Sequence, residues 1–291
     1  MIPVSTHLKA FEEYMILLNT PQKTRFSYLT ILRKYLEYCN TNNRGEAFTE
    51  EAVKQYLLYR FSMNLDWKTV NMDYSGIKKY FVGVLVREWN TQMYPRPKCN
   101  YELPNIISKE EVQKIIEHVH KVKYKALFIF LYATGMRIGE ALAVRVKDID
   151  SDRLQIKINK GKGQKDRYVD VPFELIELLR DYYRIYKPTD RLFYGENRDA
   201  PLGERNVQYA LKAAKEKAGV IHDVSPHTLR HCYATHHMEN GTNIVYVQKM
   251  LGHRSLKTTS IYLHLCVNVK STNILHPVTQ LQLTLKINTQ I

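Results

Sequence analysis

Three short clusters in the second half of the chain carry side chains able to hold an oxyanion or move a proton. They are Thr134-Gly135-Met136-Arg137, His227-Thr228-Leu229-Arg230-His231, and Leu251-Gly252-His253-Arg254, with Tyr262 nine residues after His253. Between the first two lies a basic turn, Gly161-Lys162-Gly163-Gln164-Lys165-Asp166-Arg167. Guanidinium groups make paired, charge-assisted bonds to oxyanions, imidazole titrates near neutrality, and a phenol becomes a nucleophile once its proton is removed. Asp and Glu are rare in these clusters, whereas a two-metal nuclease needs several carboxylates. Taken singly, each residue has an ordinary explanation. Arg137 beside Gly135 reads as a helix cap, Lys162 as a solvated turn residue, and Tyr262 between Ile261 and Leu263 as a half-buried packing residue. His231, His236 and His237 read as a packed or surface run, and position does not separate His222 and His264 from structural histidines.

The elements that must position these groups follow from apolar periodicity. In the first third, Leu8, Phe11, Met15 and Leu18 share one face, as do Phe26, Leu29, Leu32, Tyr35 and Leu36. Thr49 with Glu50 and Glu51 starts a third helix into Val53, Tyr56 and Leu57, and Val70, Tyr74, Ile77, Phe81, Val84 and Leu85 stripe a fourth. The four predict a small helical bundle over residues 1–92. Pro95, Pro97 and Pro104 exclude a continuous helix over 93–104, which is read as a linker carrying Arg96 and Lys98. Beyond it, residues 105–270 predict a mainly helical domain. Ser108 and Glu111 fit a capping box, an apolar helix runs from Ala126 to Tyr132, and Gly135 breaks it. Leu154, Ile156 and Ile158, then Tyr168, Val169 and Val171, flank the basic turn as a β-hairpin. Pro226 after Ser225 suits a capped first helical turn.

Composition bounds the partner. With 291 residues, 43 Lys plus Arg against 29 Asp plus Glu and a net charge of +14, the chain is strongly basic yet 44% hydrophobic, so it folds and its charge points to a polyanion, nucleic acid first. Cys39, Cys99, Cys232 and Cys266 lack metal-like spacing, and no leader or run of apolar residues suits export or membrane insertion. A reducing cytoplasm without membrane attachment is expected.

The ordered set Arg, Lys, His-x-x-Arg, Leu-Gly-His and Tyr, with the run Ala133 to Glu140, resembles the tyrosine recombinase (phage integrase-like) superfamily from about Thr6 to His264. The resemblance implies a mainly α fold with a small β-sheet: a helical core-binding (SAM-like) domain and a catalytic domain forming a C-shaped clamp on duplex DNA. It implies that Arg137, Lys162, His227, Arg230, His253 and Tyr262 form the active site, with Tyr262 becoming linked to a 3′ phosphate. Arg137 and Arg230 would then stabilise the pentacoordinate phosphorane, His227 would help Tyr262 lose its proton, and His253 would complete the phosphate shell. Lys162 would protonate the leaving 5′ oxygen, with Lys160 and Lys165 close enough to compete for that role. Glu140 would orient Arg137 from the same helical face. No metal, ATP or other cofactor is implied.

The resemblance extends to a specific recombination site in double-stranded DNA, a homotetramer on paired sites and a Holliday junction between two strand exchanges. The chain resembles compact Xer-type and integron-integrase-like members, but the residues between Lys162 and His227 leave no room for the integron-specific insertion. An integrase acting on the sites of its own transposon or phage, a topoisomerase IB-like relaxing enzyme and a catalytically inactive DNA-binding protein are the alternatives. Expected DNA contacts are Lys23, Arg25, Lys68, Lys78, Arg96, Lys98, Lys160, Lys165, Arg254, Thr258 and Thr259, the two threonines alternatively capping the helix that carries Tyr262. Residues 271–291 hold one Lys and no acid, and alternating Leu281, Leu283, Leu285 and Ile287 predict a pairing strand, within its own subunit or a neighbour.

Overall fold

The computed structural model describes residues 2–42, 48–97, 103–159 and 166–266. Lys98, Lys160, Lys162, Lys165 and the predicted tail strand lie outside the described residues. The chain divides into two compact units, Met1–Tyr101 and Glu102–Ile291.

In the first unit, α1 (Val4–Leu17), α2 (Gln22–Asn42), α3 (Glu50–Ser62) and α4 (Trp67–Gly83) surround an aromatic core. Phe11, Met15, Leu32, Tyr35, Leu36, Val53, Tyr56, Ile77 and Tyr80 are buried there. Thr49 caps α3 by accepting from the Ala52 amide, and Asp66 caps α4 by accepting from the Lys68 amide. Two residues assigned to the apolar stripes are exposed, Phe26 and Leu18. Phe26 lies six positions before Leu32, about 120° off the seam that Leu32, Tyr35, Leu36 and Cys39 bury. Leu18 is the C-cap of α1, past its last helical turn. No helix spans residues 84–97, yet Tyr94 is buried against Trp89 in this core, so the first part of the predicted linker packs with the bundle.

The second unit is built around α6 (Val122–Thr134), whose residues from Ala126 onward are all buried. Around it lie α5 (Lys109–Glu117), α7 (Ile138–Ala143), α8 (Phe173–Tyr186), α9 (Glu204–Lys217), α10 (Pro226–Glu239), α11 (Ile244–Leu251) and the short α12 (Leu256–Thr259). The Ser108–Glu111 capping box opens α5 in both directions. A three-stranded antiparallel sheet orders β1 (Ile149–Asp150), β2 (Gln155–Ile158) and β3 (Arg167–Asp170) in sequence, with Ile156 opposite Val169 and Ile158 opposite Arg167. β1 is too short at two residues to leave a period-2 signal. Leu154, expected in the hairpin, sits in the turn before β2 at positive φ. Among the described residues, no helix is long and apolar enough to cross a membrane.

One buried ion pair ties α3 to α4: Arg60 Nε donates to Asp73 Oδ2 at 2.7 Å, with both residues withdrawn from solvent. Asp73→Ala strands the guanidinium, and a loss of about 3–5 kcal/mol in unfolding free energy is expected. Adding Arg60→Met recovers most of that loss, because an apolar side chain needs no counter-charge. Trp67 and Trp89 are the only tryptophans of the chain, so their fluorescence during chemical denaturation reads this unit selectively.

Candidate active site

The site begins where α6 stops. Gly135 terminates that helix at φ +59°, and a Cβ there would overlap the Tyr233 ring, so glycine alone permits the turn. The reversal starts α7, placing Arg137 at its mouth and Glu140 three residues on. Glu140 accepts from the Arg137 amide at 3.0 Å and from Arg137 Nη1 at 2.9 Å. Arg167, leading β3, donates to both Glu140 oxygens at 3.1 and 2.8 Å. Burial opposes the Glu140 charge, but Arg167 and Arg137 together hold its carboxyl down at about 2.

The second cluster rides on α10. Ser225 accepts from the Thr228 amide and Pro226 occupies the first turn, which sets the register of the helix. His227, Arg230 and His231 then share one face at i, i+3 and i+4. Arg230 is 2% exposed. Its Nη1 donates to the Gly135 carbonyl at 2.6 Å, and its Nη2 to the Leu251 carbonyl at 2.8 Å. Nη2 also meets His253 Nε2 at 3.0 Å. A guanidinium only donates, so His253 Nε2 is an acceptor and the ring carries its proton on Nδ1, which donates to Thr259 Oγ1 at 3.0 Å. Burial and then Arg230 push His253 down to about 4, consistent with a neutral ring. In this state its Nε2 is committed to Arg230 and cannot donate to a phosphate oxygen.

Gly252 ends α11 at φ +65°, and a Cβ at this position would stand 2.8 Å from Arg167 Nε. The third cluster thereby packs on the arginine that clamps Glu140. Tyr262 follows in a 3₁₀ turn, Ser260–His264, with its ring 3% exposed and parallel to His253 at 6.4 Å. Burial raises its pKa, an effect that Arg230 and Arg137 reduce without cancelling.

The structure thus gathers Arg137, Glu140, His227, Arg230, His253 and Tyr262 in one domain and differs from the sequence expectation in two details. The group bonded to the Tyr262 hydroxyl is His231, through Nδ1 at 2.8 Å, whereas His227 meets the His231 ring edge-on at 4.6 Å. Four residues of helix rise move a side chain by about 6 Å, enough to exchange one histidine for the other. Thr258 and Thr259 do not cap the helix before Tyr262: Ser255 does, accepting from the Lys257 amide at 3.3 Å. Thr259 is buried on His253, while Thr258 and Arg254 are exposed. His236 and His237 are buried structural residues, His236 bridging Tyr132 and the Ile107 carbonyl and His237 meeting Thr242. Sequence reasoning missed His231 and Arg167. The i+4 spacing from His227 marks the first, and the second shares strand parity with buried Val169, an inward charge that demands a partner. In the first unit, Lys23, Lys68 and Arg96 are exposed and Arg25 and Lys78 half-buried.

The Glu140 carboxylate gives a pH prediction. Its folded pKa lies below the ordinary 4.5, so its stabilisation is complete above that pH and is lost as pH falls towards 2. Denaturation midpoints of wild type should therefore drop more steeply between pH 4.5 and 2 than those of Glu140→Gln. Parallel slopes would contradict the clamp.

Residues 105–268 match the family described as the Phage integrase family, and residues 8–91 match the Phage integrase N-terminal SAM-like domain. Tyrosine recombinase XerA of Thermococcus onnurineus is 31% identical over 267 residues, covering 90% of this chain and 92% of its own. The crystal structure of XerA recombinase matches with a TM-score of 0.52 and 26% identity, over 91% of this chain and 95% of that one. XerH site-specific recombinase, bound to a palindromic difH substrate in a post-cleavage complex, shares the fold with a TM-score of 0.69 at 23% identity, over 86% and 78% of the two chains. With more than half of its length matched by the family and a relative above 30% identity along nearly all of it, the chain belongs to the phage integrase family of tyrosine recombinases.

Proposed function

We propose that this chain is a site-specific DNA recombinase that cleaves and rejoins duplex DNA through a 3′-phosphotyrosine at Tyr262. The observation that carries the reading is a buried Tyr262 phenol bonded to His231 and lying parallel to His253, which in turn meets Arg230; burial raises the phenol's pKa, and the charges of Arg230 and Arg137 offset part of that rise. Attack by the Tyr262 oxygen on phosphorus places negative charge on the nonbridging oxygens. Arg137 and Arg230 stabilise that charge, Glu140 and Arg167 hold Arg137 in position, and His253 fixes Arg230. His227 faces the same site with its pKa lowered by burial, Arg230 and Arg137, so a bound phosphate raises its readiness to donate. Lys162, on the connection between β2 and β3, protonates the leaving 5′ oxygen.

The phosphotyrosine retains the energy of the broken bond, so a hydroxyl of a second strand displaces Tyr262 without ATP or metal. Two such exchanges pass through a Holliday junction held by four protomers. The DNA-bound XerH relative supports duplex DNA as the substrate here too. The net charge of +14, with exposed Lys23, Lys68, Arg96 and Arg254, supplies phosphate contacts whose strength falls with salt. The 93–104 segment links the DNA-holding bundle to the catalytic domain.

The test uses a site selected from a random duplex pool by binding to the full chain, rebuilt as a suicide duplex nicked beside the cleavage position. Wild type should give a denaturation-resistant adduct at a 3′ end and Tyr262→Phe none. Arg137→Ala should retain binding and lose about 10²–10³-fold in cleavage. An adduct persisting in Tyr262→Phe would refute the nucleophile.

A further inference from the structure

The contact between His231 and Tyr262 is unused by that scheme. His231 Nδ1 lies 2.8 Å from the Tyr262 hydroxyl, with ring centroids 5.6 Å apart, Tyr262 buried and His231 half-buried. His227 closes the other side of the ring, and both histidines line a cavity of about 510 Å³ that also carries Lys212, Lys215 and Asp223. We propose that His231 is the proton acceptor for Tyr262 in strand cleavage, and the donor that returns the proton when the strand is rejoined. The inference rests on the reading of Tyr262 as the nucleophile.

The step balances. The Tyr262 O–H donates to Nδ1; as the phenolic oxygen bonds phosphorus, the proton passes to His231 and the P–O5′ bond breaks, the 5′ oxygen taking its own proton from the separate acid. On rejoining, the incoming 5′ hydroxyl returns its proton to that separate group as its oxygen bonds phosphorus, and the displaced Tyr262 phenolate recovers its proton from His231. The groups facing His231 explain why the transfer waits for DNA. On its own helix are His227 and Arg230, from the 3₁₀ turn comes Tyr262, from the end of α11 His253, and across the cavity Lys212, Lys215 and Asp223. Burial, His227 and Arg230 hold His231 down to about 4, so it stays a neutral acceptor through the neutral range and has little tendency to take a proton alone. A phosphodiester between Arg137 and Arg230 brings the negative charge that makes a histidinium tolerable. Proton transfer is thereby tied to an occupied site.

A suicide duplex with a bridging 5′-phosphorothiolate isolates this step, because a thiolate leaves without a general acid. Wild type, His231→Ala and His231→Gln are compared at matched duplex occupancy, so altered affinity or stability does not enter the rate. At pH 7 both variants should cleave about 10²–10⁴-fold more slowly than wild type. Their rates should climb towards tenfold per pH unit up to pH 9, as hydroxide replaces the missing acceptor, while wild type stays nearly flat. Glutamine keeps a polar group beside the phenol but takes no proton. Rescue by His231→Gln would reduce His231 to a positioning residue and overturn the proposal, as would pH profiles parallel to wild type. Tyr262→Phe runs alongside: its failure to abolish the adduct would instead refute the nucleophile itself.

Discussion

Arg230 is a cation withdrawn almost entirely from water, and the site is arranged around satisfying it. An uncompensated buried charge is intolerable, so each guanidinium edge must find an acceptor. Two of them are carbonyls at the C-terminal ends of helices, Gly135 after α6 and Leu251 at the end of α11, where the helix dipoles are negative. Burial lowers its pKa to about 10, which leaves it charged at neutral pH. One side chain on α10 thus fixes the ends of two other helices. Those ends are the turns that present Arg137 and His253, and both turns rely on a glycine at positive φ. Anchoring through backbone carbonyls makes the geometry insensitive to side-chain mobility, as an anion clamp requires.

A second charge node leans on the first. Glu140 is shared by Arg137 and Arg167, and Arg167 is pressed against Gly252 beside the Leu251 carbonyl. Two guanidiniums bond this one carboxylate in a partly dehydrated setting, and the third, Arg230, is held by carbonyls and an imidazole instead. The cluster is therefore short of negative charge, and the phosphodiester of the proposed reaction is the group that completes it. The same imbalance accounts for the neutral histidines. His227, His231 and His253 are all shifted downward, by burial first and by neighbouring positive groups after it. The free site favours neutral imidazoles and a protonated phenol, and a bound anion moves both preferences towards reaction.

How much of this was legible beforehand depended on the kind of signal. The four N-terminal helices, the capping box at Ser108, the break at Gly135 and the Pro226 start each rest on local chemistry, and each stands in the fold. Phe26 is apolar yet stands about 120° from the Leu32 seam, so identity without angle places it on the wrong face, and the two residues of β1 carry no period. At the site, motif order drew attention to Arg137, Arg230, His253 and Tyr262, which lie tens of residues apart in sequence. It could not distinguish His227 from His231, since both lie on the same face and only the docking of the 3₁₀ turn decides which reaches the phenol. Arg167 was hidden for a related reason: its partner comes from α7, and pairing across elements leaves little trace in a single sequence.

In the proposed reaction the buried Tyr262 phenol takes the DNA strand. Mass spectrometry of the trapped adduct, after exhaustive nuclease and protease digestion, tests it most directly. A residual nucleotide joined through its 3′ phosphate to the peptide containing Tyr262 is expected, with fragmentation placing the added mass on that tyrosine. Mass on any other of the 21 tyrosines, or a 5′ linkage, would contradict it.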